Sequence, residues 1–88
     1  MKLNFYSVFD KAIGAYTRPF VMQSDGQAMR QFADEATKEG TPIEKHPEDY
    51  ALFRIGVFNE STGEITPEEP LCLVRAHELA EVLGKESE

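Results

Sequence analysis

Metal binding or thiol-based catalysis would have to draw on two histidines, one cysteine and 16 acids in a chain of 88 residues. His46 and His77 stand 31 residues apart, and neither has a second ligand at the three-to-five-residue spacing of a zinc motif. His46, directly before Pro47, reads as a turn residue; His77, beside Glu78 and Glu81, reads as a solvated helix residue. Cys72 lies among Leu71, Leu73 and Val74 with no base beside it, which describes a buried, inert thiol rather than a nucleophile. Glu48–Asp49 and Glu68–Glu69 are adjacent acids, which point apart on extended chain instead of sharing a proton. Asn59-Glu60-Ser61 matches a glycosylation acceptor but reads as a turn. These spacings predict no catalytic residue, no metal site and no cofactor.

A different chemistry is open to the first third of the chain. Lys2, Lys11, Arg18 and Arg30 are interleaved with Tyr6, Tyr16 and Phe20. Cations that follow phosphates and rings that stack on bases are the two parts of a single-strand binding surface, so Lys2, Lys11, Tyr16, Arg18 and Arg30 are its candidates. The alternative is that Tyr6 and Phe20 lie in the core and the four cations are scattered over the surface. The charge pattern permits both. The chain carries −7 overall, which repels DNA, yet residues 1–33 have four cations against two acids (+2) and residues 34–88 have five against fourteen (−9).

Such residues need elements to hold them. Residues 2–9 read as a strand, with Leu3, Phe5 and Phe9 on one face and Tyr6 and Val8 on the other. Residues 10–18 form a connection through Gly14, and Pro19 opens a short strand over Phe20, Val21 and Met22. Ser24 and Gln27 suit a capping box, in which Gln27 reaches back to the cap, for a helix over residues 25–39. The helix carries an apolar stripe of Ala28, Met29, Phe32, Ala33 and Ala36 and is closed by Gly40 and Thr41-Pro42. An irregular connection over 42–49 leads to the longest strand, 50–58. Ala51, Phe53, Ile55 and Val57 share one face of it, and Tyr50, Leu52, Arg54 and Phe58 a mixed, partly exposed one. Asn59 to Gly63 has hairpin-loop chemistry and Glu64-Ile65-Thr66 returns antiparallel. Pro67 and Pro70 interrupt any long fourth strand, and Leu71 to Val74 is a short strand or the approach to a helix. That helix has its stripe at Ala76, Leu79, Ala80 and Leu83, its end at Gly84 and a frayed tail over 85–88.

These elements make an α+β fold: a small, mainly antiparallel sheet of three to four strands, packed by one long helix, with a second short C-terminal helix. Met29, Phe32 and Ala36 are expected on a sheet face made by Phe5 with Phe53 or Ile55. The mixed face of Tyr50, Leu52 and Phe58 is expected to pair with a second copy in a homodimer.

Composition sets outer limits. Apolar residues are 41% of the chain and charged residues 28%, which suits one globular domain spanning 1–88 and is too apolar for a disordered tail. The longest apolar run is four residues, so no membrane partner is expected. The opening residues lack a basic and apolar leader, so no secretory signal is expected, and the single cysteine suits a reducing cytoplasm.

Several of these segments resemble one family. Phe5-Tyr6-Ser7-Val8-Phe9-Asp10, Arg18-Pro19-Phe20, the helix bearing Phe32-Ala33-Asp34, Lys45-His46-Pro47-Glu48-Asp49-Tyr50, residues 52–58 and Ser61-Thr62-Gly63 carry the likeness. Together they span about residues 2–66, and the Lys-His-Pro-Glu-Asp-Tyr stretch is the most specific part. They resemble the small nonstructural protein of gokushovirus-type single-stranded DNA phages (Microviridae). The resemblance implies a protein made in the host bacterial cytoplasm and absent from the virion, of a kind labelled DNA-binding and linked to genome replication or packaging. It brings no catalytic residues. Two functions follow as expectations: a factor acting on single-stranded DNA, or an acidic adaptor that binds the replication initiator, the procapsid or a host protein without touching DNA.

Overall fold

The computed structural model describes residues 1–79. Its centre is a hairpin-linked antiparallel sheet. Strand β1 (Lys2–Asp10) pairs along one edge with β4 (Tyr50–Asn59), and β4 pairs with β5 (Ile65–Arg75). The other edge of β1 is shared by two short strands, β2 (Ala15–Tyr16) near its end and β3 (Phe20–Met22) near its start. All pairings are antiparallel, in the order β2-β1-β4-β5 with β3 beside β1. One long helix, α1 (Asp25–Thr37), lies on the sheet. Residues 76–79 turn helical after β5. The α+β class is therefore as expected, with five strands rather than three to four. Ala80, Leu83, Gly84 and the tail over 85–88 lie outside the described residues.

Local chemistry sets the helix ends. The Ser24 hydroxyl accepts from the Gln27 amide at 3.2 Å, as the capping box requires. The Gln27 side chain reaches past the cap and accepts from the Gln23 amide at 3.3 Å. At the other end Lys38 is already extended, so α1 stops two residues short of the expected 39. Thr41 serves two helices at once. Its hydroxyl donates to the Glu35 carbonyl at 2.7 Å and accepts from the Glu44 amide at 3.2 Å. That cap, with Pro42 at the first helical position, makes the expected irregular connection a helical turn, α2 (Pro42–Lys45), followed by a 3-10 turn at Pro47–Asp49.

Two further expectations are corrected. The connection after Asp10 is itself a hairpin: Gly14 at φ 66° turns the chain so that Tyr16 pairs with Phe9. The prolines at 67 and 70 do not stop a fourth strand. As part of the outermost strand they need donate nothing to a neighbour on the far side, and β5 runs through both for 11 residues. Irregular register between Arg54 and Gly56 lets Pro67 face Gly56, where a β-carbon on residue 56 would stand 2.9 Å from the Thr66 carbonyl oxygen.

The largest correction concerns the faces of the sheet. Phe32 and Ala28 of α1 are buried as expected, with Met29 and Ala36 partly buried against the same cluster. Their partners are Tyr6 and Leu52, both fully buried, with Val8, Phe20 and Tyr50 beside them. Phe5, Phe53 and Ile55 are not in this core. Leu52, expected at a dimer interface, is covered by the helix layer and is closed to a second copy. Tyr6 and Phe20 lie in or against the core, as one of the two readings of the sequence has it, and Asp25 in the first turn of α1 serves both Tyr6 and Arg54. The Tyr6 hydroxyl donates to Asp25 Oδ1 at 2.7 Å, and Arg54 donates to Asp25 Oδ2 at 2.7 Å and to Glu68 at 3.2 Å. The Asn4 amide donates to the Tyr6 hydroxyl at 3.0 Å and completes the set.

Candidate functional site

Among the described residues, turning that face inward leaves the opposite face of the sheet without a helix. The register puts Phe5, Ser7 and Phe9 of β1 on it, opposite Gly56, Phe53 and Ala51 of β4. Tyr16 faces Phe9 from β2, and Cys72 faces Phe53 from β5. Three rings meet at one end: Phe9 and Tyr16 with centroids 4.9 Å apart, Tyr16 and Phe53 at 5.5 Å, and Phe9 and Phe53 at 6.3 Å, the last two edge-to-face. Tyr16 remains 44% exposed, so part of the cluster is open to solvent. Beneath the rings Ser7 is buried and donates its hydroxyl to the Thr17 carbonyl at 2.6 Å, which fixes the loop carrying Tyr16.

A pocket opens beside the rings. Phe9 and Phe53 form its apolar wall, Lys11, Arg75 and His77 bring cations or potential cations, and Glu48 and Asp49 supply carboxylates. Its frame is fixed by the backbone: the Lys11 amide donates to the Asp49 carbonyl at 2.8 Å, tying the β1 turn to the 3-10 turn. Tyr50 completes the lining; burial, and then the charge and hydrogen bonding of Asp10, raise its phenol above the usual value. Arg75 stands 3.7 Å from Glu78 and is exposed, a pair weak enough to release to a ligand. An aromatic wall with cations at its rim can take a flat, anionic, ring-bearing ligand.

The five residues singled out from the sequence do not all come here. Lys11 lines the pocket, and Tyr16 belongs to its ring cluster. Arg18 sits on the exposed loop between Tyr16 and Pro19, which both border the open face. Lys2 is at the other end of β1, about 30 Å of strand away, in a shallow groove with Val57, Asn59, Glu64 and Thr66. Arg30 is exposed on α1, across the sheet from the rings. Convergence of Lys2, Lys11, Arg18 and Arg30 is thus not what the fold delivers. Phe9, Phe53, Arg75 and His77 also line the pocket and are not among the sequence candidates; only the β4–β5 register, which pairs Ala51 with Arg75, reveals the last two. Cys72 is half-buried on this open face rather than sealed in the core.

The other end of the face is purely apolar in character. Phe5, Pro19, Ile55, Ile65 and Pro67 line a groove there, and Phe58 meets Phe5 edge-to-face at 6.0 Å. Among the described residues no group of three or more His, Cys, Asp or Glu could hold a metal ion, and no helix is long and apolar enough to cross a membrane.

Fold and site define a small α+β protein with a single-sided sheet, one face sealed by a helix and the other lined with rings. The chain belongs to the phage ORF5 protein family, whose model matches residues 3–79. Neither a curated protein nor a solved structure matches it.

Proposed function

We propose that this phage protein is a nonstructural factor of the gokushovirus-type single-stranded DNA phages that binds single-stranded DNA in the host bacterial cytoplasm, during genome replication or packaging. One observation carries the reading: the open ring cluster of Phe9, Tyr16 and Phe53, with Lys11 and Arg75 on the adjoining pocket. Open sheet faces with exposed rings stack bases without regard to sequence, and nearby cations track the phosphates. The family match supports the phage setting. The overall charge of −7 opposes bulk DNA binding, so affinity depends on local contacts and falls steeply with salt.

Titration of a labelled single-stranded oligonucleotide at two salt concentrations tests this. Wild type binds at low salt with a steep negative slope, and reversal of Lys11 and Arg18 to Glu weakens binding and flattens the slope. Equal binding by both proteins, or none at low salt, transfers the function to the acidic adaptor, whose partner would be the replication initiator, the procapsid or a host protein. The apolar end of the open face supports self-association in either case. A chain at −7 is repelled by its own copy except through an uncharged patch, and Phe5, Pro19, Ile55, Ile65 and Pro67 form one. A homodimer through this end is expected in sedimentation at tens of micromolar, an order-of-magnitude choice for a modest interface. Only monomer in that range would contradict it.

A further inference from the structure

The carboxylates of the ring-lined pocket are unexplained by phosphate binding. A site built only to attract DNA would exclude Glu48 and Asp49, yet both line the pocket with Lys11 and Arg75. The 3-10 turn at Pro47–Asp49 and the Lys11 amide bonded to the Asp49 carbonyl set the backbone that carries them. The Glu48 carboxylate is 3.9 Å from His46 Nδ1, beyond hydrogen-bond distance, and keeps its capacity to accept. An ionised carboxylate only accepts hydrogen bonds. Beside an aromatic wall it therefore discriminates among stacked bases by their edges: it takes the amino group of cytosine, whereas the N3–H of thymine is flanked on both sides by the carbonyl acceptors O2 and O4, which it repels.

We infer that the pocket of Phe9, Phe53, Glu48, Asp49, Lys11 and Arg75 is a nucleobase subsite that prefers bases bearing an exocyclic amino group, with cytosine favoured over thymine. The inference rests on the single-stranded DNA reading and adds a specificity to it. Stacking alone supplies no such preference, because every base has a π-face. Lys11 and Arg75 hold the flanking phosphates, and the two acids read the base edge. The charges of the acids lower overall affinity while raising selectivity, which is how discrimination by an unfavourable contact operates.

The experiment compares oligo(dC) with oligo(dT) of equal length, about a dozen nucleotides, at one salt concentration and neutral pH. Wild type binds oligo(dC) roughly tenfold more tightly, the discrimination of one good base-edge contact. The double variant Glu48→Gln, Asp49→Asn carries amides that both donate and accept, so the ratio collapses towards one even though loss of two negative charges strengthens binding to both strands. The ratio is the readout because the charge effect cancels in it. A wild-type ratio near one, or a ratio unchanged in the double variant, overturns the subsite and leaves DNA binding intact. Absence of wild-type binding to either strand overturns the DNA reading and the subsite with it, and the thermal transition of the variant excludes unfolding as the source of a changed ratio.

Discussion

The two faces of the sheet treat polar groups and rings differently: the one under α1 accommodates polar groups beside an apolar core of Tyr6, Val8 and Leu52. The face under α1 holds a tyrosine hydroxyl, an arginine and an asparagine, whereas the face open to solvent holds Phe5, Phe9, Phe53 and Phe58. Polar groups are stable on the inner face because each finds a partner: Asp25 accepts from both Tyr6 and Arg54. The outer rings are stable because they bury one another at their edges. A side chain's polarity does not fix its face when one well-placed carboxylate can satisfy two donors. The inner face thus carries folding, and the outer face is available for recognition.

The sharpest separation of the two is truncation of one ring on each. Phe32 is 3% exposed and stands between α1 and the sheet, so Phe32→Ala should cost about 3–5 kcal/mol, enough to unfold a domain of this size. Phe53→Ala on the open face removes a half-buried ring and should cost about 1–2 kcal/mol while abolishing most oligonucleotide binding. Urea denaturation of both variants measures the contrast. Equal losses of stability would mean that the open face is a second core and not a recognition surface.

Alkaline pH attacks the inner face through Tyr6. Burial first, and then the hydrogen bond to Asp25, push the Tyr6 phenol up to about 12 from its ordinary 10.0. The folded state therefore holds this proton more tightly than the unfolded chain does. The resulting stability is fully present below pH 10 and is lost as pH rises through about 12, a change of about 3 kcal/mol. Denaturation midpoints measured across that window should fall in wild type and fall distinctly less in Tyr6→Phe. The same slope in both proteins would show that Tyr6 is not the group responsible.

The legible and illegible parts of the fold divide along the same line. Ser24, Gln27 and the spacing of Ala28 and Phe32 announce α1, and Asn59 to Gly63 announce the hairpin, because these signals are local. Gly63 takes φ 79° and its amide meets the Asn59 carbonyl at 2.7 Å, as turn chemistry requires. The face of the sheet was not legible. Leu3, Phe5, Tyr6, Val8 and Phe9 alternate apolar groups on both sides, and the deciding contact, Asp25 with Arg54, spans 29 residues. The long β5 was hidden because Pro67 and Pro70 argue against a strand unless its place at the sheet edge is known. With β5 hidden, Arg75 could not be set opposite Ala51, and Arg75 and His77 could not be placed at the candidate pocket.

Tyr16 sharpens the comparison at a smaller scale, since it belongs to the open face and contributes little to folding. Tyr16→Ala should weaken single-stranded DNA binding by about 1–3 kcal/mol, the worth of one stacked base, and leave the urea midpoint almost unmoved. Tyr16→Phe retains the ring and should bind nearly as wild type. A large loss in Tyr16→Phe would assign the effect to the hydroxyl and remove stacking from the site.

The smallest expected effect is also the most discriminating, because it asks whether DNA senses one face or the whole charge of the chain. Lys11 and Arg30 are both exposed cations in the basic third, but Lys11 lines the ring-edged pocket and Arg30 is on α1 across the sheet. A helix packed on a sheet puts Arg30 roughly 10 Å or more from the open face, one Debye length at about 0.1 M salt. Its field is therefore largely screened there, while Lys11 lines the pocket proposed to take the DNA. Lys11→Glu should flatten the slope of log affinity against log salt by about one phosphate contact, and Arg30→Glu should leave affinity within about twofold of wild type and the slope unchanged. Both variants change net charge by the same amount, so net charge cannot account for a difference between them. If they weaken binding equally, the DNA responds to the overall charge of −7 becoming more negative, and the open face loses its claim to be the binding surface.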